Sequence, residues 1–151
     1  MTRKILAVML TIFAYLGVSQ VAYAQEDKQV ICMAQNIYYE SRGEPQAGKY
    51  AVGHVVMNRV KSSKFPSTPC EVIQFRARKV CAFSWVCNPN RSIKNSSAYN
   101  ESLEIAKEIY YNKSKDVTNG ATYFHSTSVR PSWSRIFTRT MQIGRHIFYK
   151  G

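Results

Sequence analysis

Acidic side chains are scarce in this chain. Its 151 residues hold nine, Glu26, Asp27, Glu40, Glu44, Glu71, Glu101, Glu104, Glu108 and Asp116, against 21 lysines and arginines, so any acid–base mechanism draws on a short list. Histidine is limited to His54, His125 and His146, and tryptophan to Trp85 and Trp133. There is no glycine-rich phosphate loop, no Gly-x-Ser-x-Gly elbow and no His-Glu-x-x-His helix, which sets aside three common chemistries. The step from Cys81 to Cys87 is wrong for a zinc knuckle and no histidine lies near either residue, so neither a metal site nor a cofactor is expected. No repeat, low-complexity tract or linker marks off a second module.

Residues 1–24 read as a secretory leader, with Arg3-Lys4 before an apolar stretch from Ile5 to Val18 and a small-x-small cleavage site at Ala22-Tyr23-Ala24. The stretch falls short of the ~20 apolar residues of a spanning helix, so cleavage near Ala24 is expected over a retained anchor, and the protein is placed in the periplasm or outside the cell. Residues 25–151 are enough for one domain and too few for two. Their net charge of +10 draws the protein toward anionic wall or envelope surfaces. Because the basic residues are spread along the chain, specific nucleic-acid binding is not expected, and the protein should act as a monomer. Cys32, Cys70, Cys81 and Cys87 in an exported chain imply two disulfides. Cys81 is expected to pair with Cys87, pinning the loop Ala82-Phe83-Ser84-Trp85-Val86.

The fold class expected is α+β, helix-dominated, with a small sheet or hairpin. Val30, Met33, Ala34 and Ile37 recur at helical spacing and predict a helix over 26–41, stopped near Gly43. A second helix is predicted over 46–61, with Ala47, Ala51, Val55 and Val56 inward, and Pro45 at its opening. Phe65-Pro66-Ser67-Thr68-Pro69 reads as a break, and 70–95 as an irregular, substrate-facing wall. Ser96-Ser97 should cap a third helix reaching Asn112, with Leu103, Ala106, Ile109 and Tyr110 inward and Glu101, Glu104 and Glu108 on a solvated face. Residues 121–125 and 142–149 read as two short strands that pair.

Among the carboxylates, Glu40 stands apart. It leaves the last turn of the first helix beside Tyr38, Tyr39 and the apolar stripe, where partial desolvation would raise its pKa and keep it protonated as a general acid. Glu44 is the alternative, or a cap for the second helix. Glu71 reads as a loop residue and Asp116 as a turn residue. His54 reads as a half-buried helix residue, and His125 and His146 as packed, hydrogen-bonded side chains that paired strands could bring together. Trp85 and Trp133 sit beside serines in loop-like segments, where rings next to hydroxyls suit sugar stacking.

These residues converge on a family pattern. Cys32-Met33-Ala34, Tyr38-Tyr39-Glu40-Ser41-Arg42-Gly43-Glu44, Gly48 to Val52, Val55 to Val60, Phe65-Pro66 and Cys70 closely resemble the SleB-type cell wall hydrolases, the group that includes the spore-cortex-lytic enzymes. The bracketed loop Cys81 to Cys87, Ala121 to His125, Pro131-Ser132-Trp133 and Ile143 to Tyr149 are similar to further parts of that pattern, in order along the chain. The resemblance implies a lysozyme-like catalytic domain acting on the glycan strands of peptidoglycan, with Glu40 as acid and base of a lytic transglycosylase. Glu44, Trp85, Tyr123, Phe124, His125 and Trp133 would line the groove. Ordinary glycoside hydrolysis needs a second carboxylate across the bond, and the sequence offers no obvious one. A hydrolytic muramidase, a non-catalytic wall-binding protein and a basic ribonuclease using His125 and His146 are the competing readings.

Overall fold

The computed structural model describes residues 28–151, so the leader expected at 1–24 lies outside the described residues. Two helices form the centre: α1 (28–41) and α2 (Gln46–Val60). Their close approach depends on Gly53, where an added Cβ would overlap Ile109 Cδ1 and stand 3.1 Å from Ile37 Cδ1. α2 is accordingly buried on nearly every side. Helix α3 (Pro69–Gln74) follows the proline-rich break, and helix α4 (Ser96–Tyr110) packs across α2.

The main core gathers Val30, Met33, Ala34 and Ile37 of α1, Val56 of α2, Val72 and Ile73 of α3, and Ile105, Ala106 and Ile109 of α4. Each fully buried aliphatic side chain contributes roughly 1.5–3 kcal/mol, which makes this the chief source of stability. Tyr38 is 1 % exposed, and its hydroxyl accepts from the backbone N–H groups of Lys94 and Asn95, fixing the start of α4 to α1.

Between α3 and α4, β1 (Arg76–Ala77) and β2 (Val80–Cys81) form a small hairpin, followed by a 3-10 turn at Ser84–Cys87. The second sheet has β5 (His146–Lys150) between β3 (Tyr123–Ser126) and β4 (Thr138–Ile143), all antiparallel. A second 3-10 turn, Ser132–Arg135, carries Trp133 between β3 and β4. Ala51 and Val55 of α2 pack with Ala121 and Phe148 to join the helices to this sheet. Disulfides Cys32–Cys70 and Cys81–Cys87 tie α1 to α3 and close the aromatic loop, the second as expected.

Several expectations need correction. α4 is capped by Asn95, whose side chain accepts from Ala98 N at 2.9 Å, while Ser96 and Ser97 lie inside its first turn. Its inner face uses Ser102 and Ile105, with Leu103 only half-buried, because the Ser102 hydroxyl donates to the Ala98 carbonyl and needs no outside partner. Its acidic face is not simply solvated: Glu101 pairs with Lys49 at 2.6 Å and Glu108 accepts from the Tyr50 hydroxyl, linking α4 to α2. Glu71 belongs to α3, where Thr68 accepts from its backbone N–H and donates to its carboxylate. Ala47 faces solvent in the first turn of α2. Residues 142–149 span the end of β4, a turn at 144–145 and most of β5, and it is β5 that makes the expected pairing with the strand after Gly120.

Candidate active site

Glu40 sits half-buried on the last turn of α1, beside fully buried Ile37 and Tyr38. Its carboxyl is pushed up to about 7 by burial, against the opposing pull of the nearby Arg59 charge. Among the described residues nothing hydrogen-bonds to it and no cation pairs with it. A carboxyl that is protonated near neutrality and free of partners is what proton donation requires.

The segment that follows is fastened at two points. Ser41 is 2 % exposed and donates from its hydroxyl to the Ile37 carbonyl at 2.7 Å, while Glu44 N–H closes a turn on the Ser41 carbonyl. Glu44 turns inward and accepts from Arg145, its Oε2 from the backbone N–H at 2.8 Å and its Oε1 from Nε at 2.9 Å. Burial pushes this carboxyl up, but the Arg145 donors and the charges of His146 and Arg145 outweigh it and hold it below the usual range. The β4–β5 turn can rest there only because residue 144 is glycine: its φ is +55°, and a Cβ would overlap Glu44 Oε2 and stand 3.0 Å from Pro45 Cδ. Glu44 is therefore no side-chain cap for α2. Its carboxylate faces the hairpin turn.

Arg59 carries no motif of its own in the sequence, yet it stands at the centre of this region. It extends the stripe Val52, Val55, Val56 of α2 by one turn and is 8 % exposed. Its Nε donates to the Thr122 carbonyl at 2.7 Å, and its guanidinium lies 5.1–5.5 Å from the ring centres of Phe83, Phe65 and Tyr123. Burial lowers it to about 10, against the raising influence of nearby Tyr123 and Glu40, so it stays charged at neutral pH. A charged arginine on an otherwise apolar helix face was the available sequence signal. Asn58, next to it, donates to the Ala121 carbonyl and Asp116, fixing the approach to β3.

Arg59 forms part of the wall of a mostly apolar cleft of about 460 Å³, together with Lys64, Phe65, Tyr123, Phe124 and Trp133. Three of the sequence-named residues thus share one cleft. Trp85 does not join them: it stacks on Tyr39 at 4.7 Å, donates from its indole to Asn36 Oδ1 at 2.9 Å, and edges a separate polar groove. His125 lies behind Trp133, its Nδ1 against the Ser126 carbonyl and its Nε2 against the Tyr149 hydroxyl. His146 is buried edge-on to Phe124, its pKa lowered by that burial. His54 is buried and meets the Ser114 hydroxyl. The described residues contain no cluster of metal-ligating side chains.

A family model described as Cell Wall Hydrolase matches residues 43–149. The chain is 34% identical over 131 residues to the spore cortex-lytic enzyme of Bacillus cereus, covering 85% of this chain and 46% of that protein. It is 29% identical over 123 residues to the spore cortex-lytic enzyme of Bacillus subtilis, covering 77% and 35%. The chain thus spans less than half the length of these relatives. Among solved structures, the catalytic domain of the Bacillus cereus SleB protein superposes with a TM-score of 0.64 at 32% identity, over 82% of this chain and 91% of that one. The catalytic domain of the germination-specific lytic transglycosylase SleB from Bacillus anthracis gives 0.63 at 33% identity, over 81% and 93%.

Proposed function

This chain belongs to the cell wall hydrolase family, and from that premise we propose that it cleaves peptidoglycan glycan strands between N-acetylmuramic acid and N-acetylglucosamine as a lytic transglycosylase, with Glu40 as the sole acid and base. The observation that carries this reading is the isolation of Glu40. The other six described carboxylates are all engaged: Glu44 by Arg145, Glu71 by Thr68, Glu101 by Lys49, Glu104 by Lys107, Glu108 by Tyr50 and Asp116 by Thr118, Gly120 and Asn58. None is left to serve as the second carboxylate that activates water or traps the sugar in ordinary glycoside hydrolysis.

One carboxyl can run the transglycosylase route. Glu40 gives its proton to the glycosidic oxygen as the bond to the anomeric carbon breaks, releasing the N-acetylglucosamine side as an alcohol. The 6-hydroxyl of the same muramic acid then attacks that carbon, and the Glu40 carboxylate takes the hydroxyl proton. The product ends in a 1,6-anhydro ring, no water is consumed, and Glu40 returns to its starting form. Arg59 assists by stabilising the carboxylate that forms midway. Tyr123, Phe124 and Trp133 offer ring faces to the sugars. Trp85, stacked on Tyr39, stands outside that cleft and borders the neighbouring groove. His125 braces Trp133, and Glu44 holds the loop after Glu40 in place.

Export belongs to this reading. Both disulfides suit an oxidising compartment, and among the described residues no helix is long and apolar enough to cross a membrane. The chain's excess of lysine and arginine then favours the anionic wall surface, with the enzyme working as a monomer. The test is mass spectrometry of fragments released from purified sacculi. Anhydromuramic ends are expected. Predominantly reducing ends would replace this mechanism with hydrolytic muramidase action, and binding without release would leave a wall-binding protein.

A further inference from the structure

Behind Trp85 lies a groove that the proposed chemistry does not use, of about 310 Å³, lined by Gln35, Gln74, Arg76, Trp85, Val86 and Arg91. Two guanidinium groups converge there on one acceptor: Arg76 donates to the Val86 carbonyl at 3.0 Å and Arg91 donates to the same oxygen at 3.1 Å. Arg91 is also set over the Trp85 ring, 5.6 Å from its centre. That single carbonyl, held within the Cys81–Cys87 loop, fixes the direction of both forks and, among the described residues, leaves most of their N–H donors unspent. Neither arginine has an ion-pair partner among the described residues, and no acid occurs anywhere from residue 72 to residue 100, while Arg76, Arg78, Lys79, Arg91 and Lys94 do. Two like charges drawn together with no counter-charge are relieved by an anion between them, and paired guanidinium forks match a carboxylate in both charge and planar geometry.

The groove is tied through one residue to the segment that carries Glu40. Trp85, one of its walls, stacks on Tyr39, the residue next to Glu40. Peptidoglycan carries carboxylates beside its scissile bonds, because the stem peptide hangs from the 3-position of the muramic acid whose bond would be cut. We propose that Arg76 and Arg91 form a subsite for the free carboxylates of the stem peptide, with Trp85 as its apolar wall. The ligand class rests on the reading of this chain as a peptidoglycan-cleaving enzyme.

The experiment uses Glu40→Gln, so that fragments bind without turnover, and soluble disaccharide-peptide fragments in two forms, with peptide carboxylates free or converted to amides. Free carboxylates are expected to bind about tenfold more tightly, as two charge-assisted contacts allow. Adding Arg76→Gln and Arg91→Gln should erase that difference, whereas adding Arg78→Gln and Lys79→Gln, an equal loss of charge on the same lobe, should preserve it. Both arginines are exposed, so these changes leave the core intact, which a thermal melt verifies. Equal affinity for the two fragments overturns the proposal, as does a preference that survives at Arg76/Arg91 or vanishes equally at Arg78/Lys79. A glycerol-phosphate polymer that displaces the free-carboxylate fragment at lower concentration than the fragment itself also overturns it, by naming phosphate as the ligand. Release of sacculus fragments by the unaltered enzyme is scored separately. Release without a carboxylate preference sinks this subsite alone, and a preference without release supports the subsite while sinking the catalytic reading.

Discussion

Arg145 holds both oxygens of Glu44 at once, one through its backbone N–H and the other through Nε, across 101 positions of sequence. The Arg145 side chain is 72% exposed while that of Glu44 is 4% exposed, so the backbone bond is the better protected of the two. Because the Glu44 pKa is held low, the contact stabilises above the unfolded carboxylate value and fades as pH falls through the folded one. Glu44→Gln should therefore cost about 1–3 kcal/mol at pH 7, with the gap to wild type closing below about pH 4. Thermal melts at pH 3 and pH 7 check this, and a gap independent of pH would contradict it.

Gly144→Ala should be worse than Gly120→Ala. Both residues have positive φ, but a Cβ at 120 meets only Lys150, at 3.8 Å, whereas one at 144 overlaps Glu44. The backbone cost is roughly 1–2 kcal/mol at either site, and position 144 adds the loss of the Glu44 clamp. Denaturant midpoints should order wild type, Gly120→Ala, Gly144→Ala. Activity should fall at 144 even where the fold persists.

Activity should decline as pH rises through about 7, the value at which Glu40 gives up its proton. Glu40→Gln should lose roughly 10²–10⁴-fold in turnover while still binding sacculi. Its effect on stability runs the other way. A carboxyl whose folded pKa is raised confers stability below its unfolded pKa that is lost as pH climbs to the folded value, so wild type should weaken between about pH 4.5 and 7. Glu40→Gln should lack that slope and melt higher than wild type at pH 8 but not at pH 4. Equal melting behaviour at both pH values would show that Glu40 is not desolvated.

Arg59→Gln should move the alkaline limb of activity to higher pH, because the Arg59 charge is what opposes burial at Glu40. Arg59→Lys keeps a charge there and should shift the limb less. The pH profile separates this from simple damage to the fold, which would lower activity at every pH without moving the limb.

The two disulfides should differ in weight. By loop length, Cys32–Cys70 contributes about 4 kcal/mol and Cys81–Cys87 about 2 kcal/mol. Paired Cys→Ala changes, followed by denaturant titration, should show the first as the larger loss. The second should appear mainly in binding, since Trp85 and the Val86 carbonyl ride on its loop.

Helices α1, α2 and α4 and the half-buried position of Glu40 were legible because they follow from local pattern: a 3.6-residue apolar period, a glycine stop, and a carboxyl at the edge of the stripe. α3 was hidden because Pro69 reads as a breaker, although proline suits the first helical position and Thr68 with Glu71 is a capping box. β4 was hidden because, as an edge strand with a bulge between Arg139 and Met141, it lacks the alternation a strand search seeks. Arg59, Glu44 and Trp85 could not be resolved from the sequence, because their partners Thr122, Arg145 and Asn36 are set by tertiary packing between distant segments. The cleft residues Tyr123, Phe124 and Trp133 were found for their type, while the separation of Trp85 from them is a matter of three dimensions.

In the larger sheet β5 runs down the middle, yet it follows both neighbours in the chain. A polypeptide emerging N-terminus first therefore presents β3 and β4 with nothing between them, and α1 with Glu40 on its end but no Arg145 to anchor the loop beyond it. Completion of the sheet and fastening of that loop come together, when residues 145–150 arrive. The segment that carries Glu40 is thus held at its far side by the last strand to be made, and it reaches its finished form no earlier than the sheet does.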